Sequence, residues 1–435
     1  MFCYQCEQTA AGKGCTKIGV CGKDEDIQSL QDTLLFGLMG IAAYAYHARQ
    51  LGASDEAVDA FTHEALFKNV TNVSFDLNQY LQMVLQCGEM NLKAMELLDR
   101  AHTEKFGKPA PTEVSTGIKT GPGIVVTGHD LLDLYELLKQ TQGRGINIYT
   151  HAEMLPAHGY PELRKFAHLA GNYGGAWQEQ RKEFNEFNGP ILATTNCVLV
   201  PPPHTYLNRL FTAGVAGIPG AAHIPNRDFT PLIEKALSSP PLIEKSGDTV
   251  TTGFHYSAVL GIADKIVDAV KRGKIRRFFL IGGCDGARPG RNYYTEFAEL
   301  VPKDCVILTL ACGKYRFNKM KFGAIEGIPR LIDAGQCNDA YSAIQIALAL
   351  SRAFKCTVNE LPLSFVLSWF EQKAVAILLT LFHLGIRGMY IGPTPPAFLS
   401  QHVFGLLKDT FDVRLISSPA KDLEAMLGAT QAAKA

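Results

Sequence analysis

The chain has 435 residues, 47% of them hydrophobic and 19% charged, enough for two or three packed domains of an ordinary globular protein. Its 42 Lys+Arg balance 42 Asp+Glu, so no basic field points to nucleic acid or an anionic membrane. The N-terminus has no positive region before an apolar core, and the most apolar stretch, AVAILLTLFHLGI (374–386), is only 13 residues and holds His383. Neither a secretory leader nor a membrane span is expected. A cytoplasmic location follows, where thiols stay reduced and eleven cysteines more often mean metal or catalysis than disulfides.

Cys3, Cys6, Cys15 and Cys21 open the chain with spacings x2, x8, x5. They read as an iron–sulfur loop or a structural zinc knot, although zinc knots pair two short C-x2-4-C hooks and the longer gaps fit them poorly. Three helices follow. Residues 26–52 end in Gly52, a natural stop, and residues 54–67 start with a Ser54 cap and acidic first-turn residues. Asp76 caps a third helix in which Leu77, Leu81, Val84, Leu85, Leu92, Met95 and Leu98 recur at helical spacing. Short loops between them predict a small bundle. Pro/Gly-rich stretches at 105–123 and 238–253 read as linkers, the second carrying an echo of PLIEK (231–235 and 241–245). The expected domains are 1–118, 119–245 and 246–435.

Beyond residue 123, short apolar runs alternate with helical segments, the pattern of α/β domains with parallel sheets. Seven strands are predicted: GIVVT (123–127), INIYT (146–150), ILATT (191–195), RFFLI (277–281), VILTL (306–310), PRLID (329–333) and SFVLS (364–368). Within four residues of their ends come His129, Glu153, Cys197, Cys284, Cys312, Cys337 and Glu371. In open parallel sheets the binding crevice lies there. Seven ligands are too many for one zinc. Thiolates select iron–sulfur or zinc, whereas imidazole and carboxylate suit iron with oxygen ligands, so a polynuclear iron centre would use the whole set. The other reading is that each Cys is a small buried hydrophobe and each His or Glu a turn residue.

The stretches FCYQCEQTAAGKGCTKIGVCG, YTHAEMLPAHGYPEL, GPILATTNCVLVPP, FLIGGCDGARPGRNYYTEFA, DAGQCNDAYSA and SWFEQKAVAILLTL, with VTGHD, GNYGGAWQEQ and LACGKYRFN, strongly resemble the hybrid-cluster (prismane) protein family, the hydroxylamine reductases. The resemblance runs in order over essentially the whole chain. It implies a helical bundle with an iron–sulfur loop, then two Rossmann-like parallel-sheet domains, similar to carbon monoxide dehydrogenase. It implies that His129, Glu153, Cys197, Cys284, Cys312, Cys337 and Glu371 hold a hybrid [4Fe-2S-2O] cluster, with a persulfide on Cys284 when oxidised. By the same resemblance Cys3, Cys6, Cys15 and Cys21 hold a [4Fe-4S] cluster, their compact spacing matching members with the cubane type. Typical members have two three-helix bundles; this chain has room for one, as in a short subclass that forms homodimers.

The resemblance implies reduction of hydroxylamine to ammonia and water, of nitric oxide to nitrous oxide, or both, with electrons from a ferredoxin-like or rubredoxin-like donor entering at the N-terminal cluster. The second reading is a redox-responsive protein that nitrosylates partner thiols. Lys373, two residues after Glu371, is a proton donor or a solvated first-turn lysine. Asn196, Trp177 and His151 are candidates behind the ligands, His151 more simply a satisfied core histidine. Cys87, Cys305 and Cys356 read as structural. No phosphate-loop motif occurs, so nucleotide binding is not expected.

Overall fold

The computed structural model describes residues 3–286, 290–369 and 371–432; residues 287–289 of the GGCDGARPG stretch and Phe370 lie outside them. The bundle comprises α1 (Glu25–Gln50), α2 (Glu56–Thr71) and α3 (Leu77–Phe106). Each starts with an aspartate whose carboxylate accepts backbone N–H groups: Asp24 from Ile27, Asp55 from Ala57 and Val58, and Asp76 from Asn78 and Gln79. Each such cap contributes about 1 kcal/mol. The second cap is thus Asp55 rather than Ser54, because the carboxylate one residue on reaches two orphan donors.

The bundle is closed by a helix from far along the chain. Helix α4 (Gln372–His383) packs against α1 and α3, along a seam where backbones approach closely. A Cβ on Gly40 would strike Ala376, and one on Gly88 would strike the Leu379 carbonyl. Thr380 donates to the Gly88 carbonyl at 2.9 Å and accepts from Asn91 at 3.0 Å. Cys87 is fully buried in this seam, beside the space that a Cβ on Gly37 would take, as a packing thiol.

Two six-stranded parallel sheets follow. The first contains β1 (Gly123–Thr127), β2 (Asn147–His151), β3 (Leu169–Asn172), β4 (Ile191–Ala193), β5 (Leu210–Ala213) and β6 (Ala222–Ile224). Their spatial order is β3-β2-β1-β4-β5-β6. The second contains β7 (Arg277–Gly283), β8 (Cys305–Leu310), β9 (Leu331–Asp333), β10 (Leu363–Ser368), β11 (Met389–Gly392) and β12 (Arg414–Leu415), in the order β9-β8-β7-β10-β11-β12. Both are the doubly wound 3-2-1-4-5-6 arrangement, with a switch point between the first and fourth strands. The predicted strand at 329–333 begins only at Leu331, because Ile328 and Pro329 turn back to pair with Ala324 and Ile325.

Neither Pro/Gly-rich stretch is a free linker. Thr112–Ser115 and Thr249–Thr252 form an antiparallel ribbon, continued by bridges from Ile118 to Lys245 and from Gly121 to Leu242. The second PLIEK therefore lies in this seam, whereas the first belongs to the helix Thr230–Ser238. TEVS and TVTT are rich in β-branched residues, which suits a strand pair. One hydrophobic core runs from Leu34, Leu38 and Leu98 of the bundle through Leu379 to Leu280 and Leu308 of the second sheet. The first sheet has cores of its own on its two faces.

Candidate metal centre

The carboxyl ends of the two sheets meet around one small cavity, half-open where Cys197 and Glu371 are only partly buried. Its walls are His129, Glu153, Trp177, Cys197, Cys284, Ala311, Cys312, Cys337 and Glu371. All seven residues picked out at strand ends are therefore brought together, and only Trp177 and Ala311 are added. Ligand atoms of His129, Glu153 and Cys337 lie within 4.8 Å of one another, as do those of His129, Cys197 and Glu371.

The supply of ligands follows from topology. His129 comes after β1 and Cys197 after β4, the switch point of the first sheet; Glu153 comes after β2. Cys284 and Glu371 occupy the switch point of the second sheet, after β7 and β10, and Cys312 and Cys337 follow β8 and β9. Sharp turns are needed to drop these side chains into one cavity. Ala152, Cys197, Asp285 and Ala311 all have positive φ, between 42° and 63°, and each is a ligand position or its neighbour. Such conformations cost a non-glycine residue about 1–2 kcal/mol each.

Two polar atoms of the walls, His129 Nε2 and Glu153 Oε1, are buried with no protein hydrogen bond. His129 is oriented from behind, its Nδ1 lying 2.7 Å from the Thr195 hydroxyl, which also accepts the His129 backbone N–H. With Nδ1–H donating to Thr195, Nε2 presents its lone pair to the cavity, the usual support for a metal-binding histidine. The second Glu153 oxygen accepts the Cys337 N–H at 2.7 Å. Asn196 donates to Glu371 at 2.6 Å, and the Cys197 thiol lies 3.3 Å from the same carboxylate oxygen.

Burial shapes the protonation of the set. It pushes the thiols of Cys197, Cys312 and Cys337 well above the usual cysteine range and that of Cys284 to about 12, with Glu371 adding to the rise for Cys197 and Cys284. It holds His129 well below its ordinary value, leaving a neutral imidazole. Four thiols and two carboxyls in so dry a space need cations to ionise together. The chemistry of these donors, four thiols with one imidazole and two carboxylates, fits a polynuclear iron–sulfur–oxygen centre.

Lys373 is buried rather than solvated, its ammonium 3.2 Å from Asn338 Oδ1. Its own desolvation favours the neutral form, but Cys337 and Glu371 outweigh this and hold it above the usual lysine range. His151 is a satisfied core histidine, between Thr127 at 3.1 Å and Glu183 at 2.9 Å. Cys305 opens β8, buried, and Cys356 sits at the end of a helix outside the site. Thr195, Asn338 and the fully buried Lys314–Asp333 pair (2.6 Å) behind Cys312 went unnoticed in the sequence. Only Thr195, in the TTNC run, carried a signal there, as a hydroxyl beside a ligand.

The N-terminal thiols do not line this cavity. Cys3 and Cys15 are buried and joined by a two-bond backbone bridge (3.3 and 2.9 Å); Cys6 and Cys21 are exposed. Among the described residues no helix is long and apolar enough to cross a membrane.

A family model for the Prismane/CO dehydrogenase family matches residues 1–84 and 76–424. A hydroxylamine reductase of Moorella thermoacetica is 68% identical over 98% of this chain and all of its own length. One of Methanothermobacter thermautotrophicus is 54% identical over the same shares. Among solved structures, carbon monoxide dehydrogenase IV of Carboxydothermus hydrogenoformans superposes with a TM-score of 0.80 at 15% identity, covering all of this chain and 92% of that one. That likeness is one of fold.

Proposed function

The chain belongs to the Prismane/CO dehydrogenase family, and on that premise we propose that it is an iron–sulfur oxidoreductase that reduces small nitrogen oxides, hydroxylamine first among them. The observation that carries this reading is the single cavity walled by seven ligand-type residues from two sheet ends. In this proposal His129, Glu153, Cys197, Cys284, Cys312, Cys337 and Glu371 hold the hybrid cluster, and Cys3, Cys6, Cys15 and Cys21 hold a [4Fe-4S] cluster. The bound hybrid centre would supply redox-active iron at which an N–O bond is cleaved with two electrons and two protons, giving ammonia and water from hydroxylamine.

The chain's own residues prepare that reaction. Lys373 keeps a proton at Nζ beside Glu371, and Asn338 fixes the direction of that ammonium. Asn196 holds the Glu371 carboxylate in place, and Thr195 does the same for His129. The exposed Cys6 and Cys21 offer an approach to a ferredoxin-like or rubredoxin-like donor. Exposed Ile18, Val20, Val70, Val73 and Phe75, on the same loop and the α2–α3 turn, suit a homodimer contact.

Nitric oxide is favoured as a further substrate by a second, apolar cavity walled by Leu280, Ile344, Phe365 and Leu378 among others. It shares Cys284, Ala311 and Cys337 with the ligand cavity. Such an apolar space suits an uncharged gas. Transfer of a nitroso group to partner thiols is disfavoured, since Cys284 is only 7% exposed.

The test is anaerobic purification with iron, sulfide and zinc analysis, followed by turnover of hydroxylamine and nitric oxide with a reduced dye. About eight irons per chain, four for each cluster, are expected. Glu371→Ala should then abolish both activities. A zinc-only protein, or full turnover by the variant, overturns the reading.

A further inference from the structure

A lysine lies completely buried beneath the N-terminal cysteine loop, and none of its hydrogen-bonding partners is an anion. Lys23 is 0% exposed, and its ammonium donates to Gln5 at 3.1 Å, Gln31 at 2.8 Å and Asn72 at 3.2 Å. All three acceptors are side-chain amides, so the three N–H bonds are satisfied while the charge is not. Among the described residues no carboxylate lies within 4.0 Å of it. Asp32 feels its field but is hydrogen-bonded to Gln28.

A buried ammonium without a counter-ion costs several kcal/mol. The chain has a nearby means of removing that cost. Gln5 lies between Cys3 and Cys6, and Lys23 is two residues beyond Cys21. The space a Cβ on Gly19 would fill is bordered at 3.1 Å by Cys21 Sγ and at 3.2 Å by Lys23 Cβ. The Gly19 N–H also donates to the Lys23 carbonyl at 2.7 Å, which closes a turn that holds the fourth cysteine, Cys21, next to the lysine.

We propose that Lys23 is the fixed counter-charge of the N-terminal cluster: a positioning residue that docks the cysteine loop on α1 and raises the cluster's reduction potential. The inference rests on the assignment of an iron–sulfur cluster to these four thiols. Uptake of one electron adds a negative charge beside a cation that burial protects from salt and water, so the reduced cluster is favoured. The three amides hold the ammonium without neutralising it. A carboxylate in their place would cancel the effect.

The experiment is an EPR-monitored redox titration of the full-length protein, purified anaerobically, comparing wild type with K23Q, K23R and Q31E. K23Q should lower the reduced fraction at a fixed potential at least tenfold, which is 59 mV for one electron. K23R should stay within about threefold of wild type, since it keeps the charge. Q31E leaves Lys23 in place but pairs it, and should shift the titration in the same direction as K23Q even if K23Q assembles poorly. A cluster that titrates at the wild-type potential in both K23Q and Q31E would show that Lys23 merely docks the loop. Absence of iron from the N-terminal thiols of the wild type would instead remove the cluster assignment, and this inference with it.

Discussion

The two α/β sheets share one strand order and build their switch points alike, yet they offer opposite chemistry. At each, the turn after the first strand contains a glycine that admits no side chain. A Cβ on Gly128 would collide with the Thr194 hydroxyl, and one on Gly283 with the Ser368 carbonyl. In both sheets an alanine with positive φ precedes the ligand after the second strand, Ala152 before Glu153 and Ala311 before Cys312. These two backbone features recur in both sheets, while the side chains they present differ. The first sheet contributes His129 and Glu153 with one thiol, Cys197; the second contributes three thiols with one carboxylate, Glu371. Each sheet thus carries one ligand of the other's kind, after its fourth strand, and these two side chains touch. A hard half and a soft half joined through Cys197 and Glu371 is what a mixed sulfur–oxygen centre needs.

The largest effect that separates the halves comes from their second-strand ligands. Cys312→Ala should eliminate the sulfide of the inner centre together with all turnover. Glu153→Gln should also abolish most turnover but retain more of the sulfide, because the thiolate side stays intact. Equal sulfide loss in the two variants would break the comparison. A smaller effect is expected behind the first sheet. Thr195→Val removes the partner of His129 Nδ1 and should cost about 10–100-fold in activity or iron affinity, with the fold unchanged by circular dichroism. Activity within twofold of wild type would mean that His129 needs no such support. The smallest effect concerns strain. Ala311 has φ 63° and ψ −173°, a region essentially confined to glycine. Ala311→Gly should stabilise the metal-free chain by about 1 kcal/mol in denaturant unfolding, at the expense of a less rigid Cys312. A destabilised variant would show that the alanine methyl group contributes more by packing than it costs in strain.

Much of this was legible in the residues. All seven predicted strands lie in the two sheets, because central parallel strands are continuous apolar runs such as GIVVT and VILTL. The seven residues that line the cavity were visible because they follow those runs directly. What escaped notice was short or non-local. LAGN (β3), AHI (β6) and RL (β12) are too brief and too little apolar to stand out. The 112–115 and 249–252 stretches look like linkers until they are seen to pair with one another. Lys373 stood out only through its place two residues after Glu371, which left a proton donor and a solvated lysine both open, and nothing local reveals that amides from distant elements will bury Lys23. The cap expected at Ser54 falls on Asp55, a shift of one residue that only backbone geometry reveals.

The helix that completes the bundle has a consequence for how the molecule is made. Helix α3 ends at Phe106, but α4, which fills the groove between α1 and α3, begins at Gln372. During synthesis the nascent N-terminal segment emerges with that apolar groove open, and it stays open until most of the chain has left the ribosome. Glu371, immediately before α4, arrives with it. The pocket for the inner centre is therefore walled last, by the same event that seals the bundle. Any cluster held in that pocket could be closed in only on a nearly finished chain.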